Sequence, residues 1–404
     1  TAHSYYSTEG SSQCIRAMLF LALQSAPQNG KRPVLLAARN AHKALLYAAA
    51  LLDFDIRWLW PSAQAEGALC SCPVTVEALT GALHALAQQG IEPFGVYVTS
   101  PDYLGGVQDI PALAAVCRAQ GVPLLVDNAH GAYLRFLPQN CHPIAQGAAM
   151  CCDSAHKTLP VVTGGAYLHL AHDAPVQDEA AVRGALALFG STSPSYLILQ
   201  SLDACNAVLA GDYPRRLAQC CAALEGLRRS LNKAAAVRQC PVPLAVAGTQ
   251  QEPMKLTLDA AALGCTGTAL AESLRRAQME CEYADPRYVV LMFTPENPPQ
   301  DYTRLQTALE QLLAAVPAGL PRPENRAGEF AALQQQAVQR CTIRQAVLGA
   351  QVRVPVHKAL GRVCAMPTVS CPPAIPVAVS GEEITPAAIA LMQRYGIEEL
   401  SVLR

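Results

Sequence analysis

Charge is scarce in this chain of 404 residues. Asp, Glu, Lys and Arg make up 15% of it, and the formal net charge is −1. No basic block of the kind that grips phosphate backbones occurs, so nucleic acid is not an expected partner. Long apolar runs are missing too. MLFLAL and ALLYAAALL fall far short of the roughly 20 residues that a membrane span needs, and no membrane partner is expected. The opening TAHSYYSTEG lacks the basic-then-apolar order of a secretory signal. Cysteine is abundant, at 16 residues, but metal-site spacing is not. With no CxxC pair and no CxxC…HxxxH pattern, no metal site is expected. Disulfide frameworks staple small secreted domains, which this chain is not. The cysteines read as reduced, mostly buried, small apolar residues of a cytoplasmic protein.

What is present is apolar sequence, 51% of the chain, patterned as alternating strands and helices. Strand candidates are PVLLAA (33–38), DIRWLW (55–60), GVYVTS (95–100), PLLVDNA (123–129), AAMCCDS (148–154) and GGAYLHL (164–170). Segments such as VEALTGALHALAQQG separate them with helical periodicity. This alternation predicts an α/β domain with a mostly parallel sheet over residues 1–195. Nearly continuous apolar strands fit burial on both faces. After the turn-rich STSPSY, one long helical pattern runs from about Ser195 to Lys233. Strand and helix then alternate in a set that predicts a small α+β domain within 196–320. The Pro/Gly-rich stretch 316–328 reads as a linker, and residues 321–404 as a C-terminal domain.

Four segments carry polar groups at strand ends or helix starts. Gly10, Ser11 and Ser12 open a helical run, where free N–H groups and two hydroxyls suit a phosphate, although serine is also a common helix cap. Arg39, Asn40, His42 and Lys43 follow a buried strand, at the end where α/β sheets bind ligands. Asp127 ends a strongly apolar strand, and a buried carboxylate there calls for a cationic partner such as a protonated ring nitrogen. His130 lies three residues on. In DSAHKTLP, Lys157 sits just past a buried strand, where an apolar setting would favour the neutral, nucleophilic amine. Ser154 and His156 stand beside it for an anion. Each feature alone has an ordinary structural reading. Together they form the requirement list for pyridoxal 5'-phosphate: a phosphate cradle, a stacking ring, a carboxylate for the pyridine nitrogen and a Schiff-base lysine.

STEGSS, RNAHKA, VTSPDYLGGVQDI, LLVDNAHGAY, DSAHKTLPVVTGGAYLH, STSPSY, KLTLDAAALGCTG, ALGRV and CPPAIPVAVSGEEIT run in an order that resembles the prokaryotic ornithine/lysine/arginine decarboxylases. Those are pyridoxal-phosphate enzymes of fold type I, the aspartate-aminotransferase-like PLP-dependent transferase fold. The resemblance implies a large α/β domain, a small α+β domain and a decarboxylase-type C-terminal extension. It implies Lys157 as the cofactor lysine, Asp127 on the pyridine nitrogen, His42 stacked on the ring and His130 near its phenolic oxygen. Gly10, Ser11, Ser12, Ser154 and His156 would cradle the phosphate. The implied activity is decarboxylation of arginine, lysine or ornithine to an amine of polyamine metabolism, in a homodimer or higher homo-oligomer with STSPSY approaching the neighbouring subunit. Glu382 or Glu383 is a candidate for the substrate's distal cation.

Departures from the family pattern motivate two other readings. Asn128 replaces the Glu of DEAHG, QCIR follows the phosphate loop, and Ala374 stands for Gly in PPAIP. The N-terminal arm with its Pro-Gly-His-Lys segment is not in this sequence, which implies a truncated chain or a member without that wall of the site. A non-catalytic paralogue that keeps fold and dimer is therefore one alternative. Another pyridoxal-phosphate reaction, such as transamination, is the second; it would recruit Arg183 or Arg287 for a carboxylate.

Overall fold

The computed structural model describes residues 2–26, 30–61, 68–248, 250–317, 319–324, 327–367 and 376–404. Ala374 and the first five residues of CPPAIP lie outside these, as do positions 318, 325 and 326 of the expected linker.

Short apolar runs bounded by turns build one sheet of seven strands: β1 (His3–Ser7), β2 (Val34–Ala38), β3 (Asp55–Leu59), β4 (Val96–Thr99), β5 (Leu124–Asp127), β6 (Met150–Asp153) and β7 (Ala166–Leu170). Their order is β1-β7-β6-β5-β4-β2-β3. Strands β2 to β6 are mutually parallel, while β7 and β1 add antiparallel at one edge. All six strand candidates from the sequence coincide with β2 to β7 within a residue or two. β1 was not among them. HSYYS carries little apolar signal and becomes a strand only because β7 offers it a pairing edge.

Six helices clothe the sheet: α1 (Gly10–Gln24), α2 (Lys43–Leu52), α3 (Val76–Gln88), α4 (Ile110–Ala119), the single turn α5 (Ala155–Thr158) and α6 (Glu179–Leu188). Side chains alternate across each strand. Leu35, Tyr97, Leu125 and Met150 therefore meet α1, α2 and α6. Leu36, Val96, Val98 and Val126 meet α3 and α4 on the other face. Each fully buried leucine in these layers contributes about 1.5–3 kcal/mol.

The expected long helix over 195–233 is two helices, α7 (Tyr196–Ala210) and α8 (Tyr213–Val237). Gly211 leaves helical geometry at φ −88, ψ −129, and Pro214 restarts the next helix in its first turn. A three-stranded antiparallel sheet follows, β8 (Lys255–Asp259), β9 (Tyr283–Ala284) and β10 (Tyr288–Met292), in the order β8-β10-β9. It shares a core with α8, α9 (Gly267–Arg276) and α10 (Pro299–Ala314). The C-terminal part holds α11 (Ala327–Gln336), α12 (Ile343–Leu348), β11 (Gln351–Pro355), α13 (Pro386–Arg394) and β12 (Glu399–Leu403). It docks on the large sheet: Arg344 Nη1 donates to the Ala50 carbonyl at 2.8 Å and so caps the C-terminus of α2. Among the described residues, no helix is long and apolar enough to cross a membrane.

Candidate active site

The carboxyl ends of β2, β4, β5 and β6 converge on a small enclosed pocket lined by Ser11, Asn40, His42, Thr99, Tyr103, Asp127, His130 and Lys157, with Cys70 and Pro101. Parallel pairing puts these strand ends side by side, which is why residues distant in sequence meet here.

Asp127 is the last residue of β5 and is 2% exposed. Three donors meet its carboxylate. Tyr97 Oη donates to Oδ2 at 3.0 Å, and the Ala129 N–H and Cys152 Sγ–H reach Oδ1 at 3.2 and 3.7 Å. The Tyr97 phenol is pushed well above its usual range by burial and by the Asp127 charge, so it stays a donor.

His42 caps α2, its Nδ1 accepting from the Ala44 N–H at 3.1 Å. Burial holds its imidazole below the usual value despite the nearby Asp127 charge. A neutral ring with its proton on Nε2 results, suited to lie flat on another ring. Lys157 Nζ lies 3.1 Å from His130 Nε2. Burial, helped by the Lys255 and Lys157 charges, keeps His130 well below its ordinary pKa. The neutral ring accepts from the ammonium, and Tyr103 packs edge-on against it at 4.8 Å between centroids.

The phosphate-side residues divide. Ser154 Oγ donates to Ser11 Oγ at 2.8 Å, which ties the turn after β6 to the start of α1. Gly10 supplies its left-handed conformation, φ 71, rather than a donor, because its N–H is spent on the Gly164 carbonyl at 2.7 Å. Ser12 stands in the first turn of α1, where helix N–H groups lack an intrahelical acceptor. His156 is turned to the loop: its Nδ1–H and backbone N–H both donate to the Gly165 carbonyl, at 2.9 and 3.1 Å.

Other sequence candidates are engaged elsewhere. Arg39 is fully buried and makes a bidentate pair with Glu382, with 2.8 Å to each oxygen, between the rings of Trp58 and Trp60. Glu383 pairs with Arg340. Neither glutamate lines the Lys157 pocket, so the expected contact of Glu382 or Glu383 with a substrate cation gives way to a domain-joining ion pair. Arg183 pairs with Glu179 on exposed α6, and Arg287 grips Asp259 at 2.7 Å; neither lines the pocket. Asn128 faces away from Asp127's side of the sheet and donates from Nδ2 to Asp153 Oδ1 at 2.7 Å.

Sequence reasoning missed Tyr97, Tyr103 and Lys255. Tyr97 reads as an ordinary core residue of GVYVTS; only the pairing of Thr99 with Asp127 brings its hydroxyl to the carboxylate. Lys255 is 3% exposed, donates from Nζ to the Asp102 carbonyl at 2.8 Å and faces the Tyr103 ring.

Two orphaned groups test whether pyridoxal phosphate fits. Both side-chain polar atoms of Asn40, and Nδ1 of His130, are buried without a hydrogen-bond partner. Buried polar groups left unpaired in this way mark a place where a polar ligand belongs. A carboxylate, a neutral ring, a lysine amine and a serine pair surround them, and that set matches the cofactor's donors and acceptors.

The first 300 residues match the family model described as the major domain of Orn/Lys/Arg decarboxylases. The chain belongs to the Orn/Lys/Arg decarboxylase family. Its enzyme class is thus that of the pyridoxal-phosphate-dependent amino-acid decarboxylases, carbon–carbon lyases. The chain is 26% identical over 390 residues to an arginine decarboxylase of Bacillus subtilis, covering 95% of this chain and 76% of that one. It is 26% identical over 229 residues to the constitutive lysine decarboxylase of Escherichia coli, covering 53% and 30%. In fold it is similar to the lysine decarboxylase of Francisella novicida, with TM-score 0.76 and 18% identity over 100% of this chain and 70% of that one. The Escherichia coli enzyme gives TM-score 0.73 at 18% identity, covering 99% and 70%.

Proposed function

We propose that this member of the family decarboxylates a basic amino acid, arginine, lysine or ornithine, with pyridoxal phosphate held on Lys157. The observation that carries the reading is the convergence of Lys157, His130, Asp127, His42 and Ser11 on one pocket, whose lining residues Asn40 and His130 carry buried, unpaired polar atoms. When bound, pyridoxal phosphate supplies an electron sink for the pair left by departing CO2.

This chain's residues do the rest. Asp127, oriented by Tyr97 and the Ala129 N–H, holds a proton at the pyridine nitrogen. His42 covers one ring face and excludes water from it. Ser11 and Ser154, with the N–H groups of the first turn of α1, take the phosphate. Lys157 Nζ would hold the cofactor and would lie where it could carry a proton to or from the substrate. His130 Nε2, 3.1 Å away, accepts a hydrogen bond from Lys157 and would orient its amine. Tyr196 and Leu197, 82% and 74% exposed, open the helix whose Ile198 and Ser201 meet the loop after Lys157, and they are the candidate contact for a homodimer. The engaged positions of Arg183 and Arg287 disfavour transamination, because neither offers a carboxylate fork in the pocket.

The visible spectrum of the purified protein tests this. A cofactor band present in the wild type and absent in Lys157→Ala is expected, together with CO2 release from at least one of arginine, lysine and ornithine. A wild-type protein with no band after cofactor is added overturns the reading and favours a non-catalytic paralogue.

A further inference from the structure

A cavity of about 760 Å3 lies apart from the Lys157 pocket. It lies over the β1-β7-β6 edge of the large sheet, on the face opposite Asp127. Register sets the faces: Asp127 pairs with Cys152, whereas the next residue, Asp153, pairs with Tyr167 of β7. At the floor of this cavity, three residues that the proposed decarboxylation does not use come together.

We propose that His142 Nε2, Asp153 Oδ2 and His169 Nε2 bind a divalent transition-metal ion of the zinc class, with a further coordination position facing the cavity. One donor atom from each residue lies within 4.8 Å of the other two. Each ring nitrogen approaches the same carboxylate oxygen, at 3.1 Å for His142 and 3.2 Å for His169. Tetrahedral zinc with ligand distances of about 2.0–2.2 Å has donor-to-donor edges of roughly 3.3 Å, so the two contacts need only small adjustment. Two imidazoles and a carboxylate with one position open are a donor set that zinc uses where it also meets solvent or substrate.

The surroundings orient the donors. Asn128 Nδ2 and Cys151 Sγ both donate to Asp153 Oδ1, at 2.7 and 3.5 Å, which leaves Oδ2 to the imidazoles. Ser4 Oγ lies 2.7 Å from His169 Nδ1 and can accept its proton, freeing Nε2 as a ligand. His142 Nδ1 meets the Ile144 N–H at a long 3.4 Å, a weak contact given up when that nitrogen carries the proton. Such outer partners fix tautomer and ring direction at metal sites. All three donors border the cavity, so an ion there is reachable from solvent and would pin β6 directly ahead of Ser154. Spacings of 11 and 16 residues between the donors match no sequence motif for metal.

The test uses the full-length chain after dialysis against a chelator. Co2+ titration of the wild type is expected to give visible absorption of the tetrahedral type at one ion per chain, abolished by added Zn2+. His142→Ala and His169→Ala should each weaken binding at least tenfold, and the double variant should lose it, with far-UV circular dichroism unchanged. The double variant also subtracts binding by thiols elsewhere. Wild type and double variant binding Co2+ alike overturns the proposal, as does a wild type that takes up none. Should the variants fail to fold, wild-type thermal unfolding decides: a Tm that rises with Zn2+ concentration supports the site, and a flat Tm overturns it. In each overturning case the cluster is a hydrogen-bonded His-Asp-His pin.

Discussion

Asp102 is a carboxyl that burial has shifted furthest toward neutral pH. It is 3% exposed and accepts from the Gly106 N–H at 2.8 Å. Burial lifts it to about 6, against the opposing help of Ser71 and the Lys255 charge. The folded chain thus holds a proton on Asp102 at pH values where the unfolded chain has lost it. Stability falls as pH rises through that window, from the ordinary value near 4 up to about 6. A carboxyl raised by that amount carries a cost of about 3 kcal/mol above the window. Asp102→Asn keeps an acceptor for Gly106 without the charge. Its stability relative to wild type should therefore rise by about this amount between pH 4 and pH 7, read from urea midpoints at each pH. A difference that does not change with pH would show that Asp102 does not titrate in this range.

Among elements, the short connection from β6 to β7 decides whether Lys157 is presented at all. The loop from Thr158 to Gly165 is tied at both ends. The Gly165 carbonyl takes two bonds from His156, and the Gly164 carbonyl takes the Gly10 N–H. Gly164 adopts φ +103, and a Cβ there would come within 3.0 Å of the Thr8 carbonyl and of Ile198 Cδ1. Gly164→Ala meets strain from conformation and crowding together, of the order of 1–3 kcal/mol. The expected result is a lower Tm and, on the proposed function, a weaker cofactor band in the same variant, since this loop directly follows Lys157 and bonds to Gly10 at the start of α1. Unchanged cofactor titration would mean that Lys157 is positioned independently of the loop.

At the scale of the whole molecule, a buried ion pair joins residues more than three hundred positions apart in sequence. Arg39 directly follows β2, Glu382 comes from the C-terminal part, and neither is accessible to solvent to any useful extent: 0% and 7% of their side chains. The Val379 N–H adds a third bond to the carboxylate at 2.9 Å. Removing one member of such a pair strands the other charge, which costs roughly 3–5 kcal/mol, whereas replacing both by apolar groups is near neutral. Glu382→Met should accordingly destabilise strongly, and Arg39→Met/Glu382→Met should recover most of the loss in a denaturation cycle. If the double variant is no better than the single ones, the pair contributes through specific geometry that an apolar contact does not replace. The same pair explains why an acidic residue that looks free for a substrate cation is not free.

Strands β2 to β7, the parallel core and family membership were open to reading from sequence because they rest on local pattern: apolar runs of strand length, turn residues between them, and motifs in order. The segments that meet at the candidate site were legible for the same reason, since ligands of α/β sheets gather at strand ends. What local pattern does not carry is which way a side chain faces and what it meets across the sheet. Tyr97 reaches Asp127 through strand register. The break at Gly211 divides what reads as a single helix. Arg39 takes Glu382, and His142, Asp153 and His169 form a cluster from three separate stretches. These contacts depend on pairing between distant segments, and one residue of register would send Asp153 to the opposite face. The sequence by itself determined the elements and the chemistry available at their ends; the tertiary structure alone decided which of those groups are partners, because partnership is set by strand order and facing rather than by spacing along the chain.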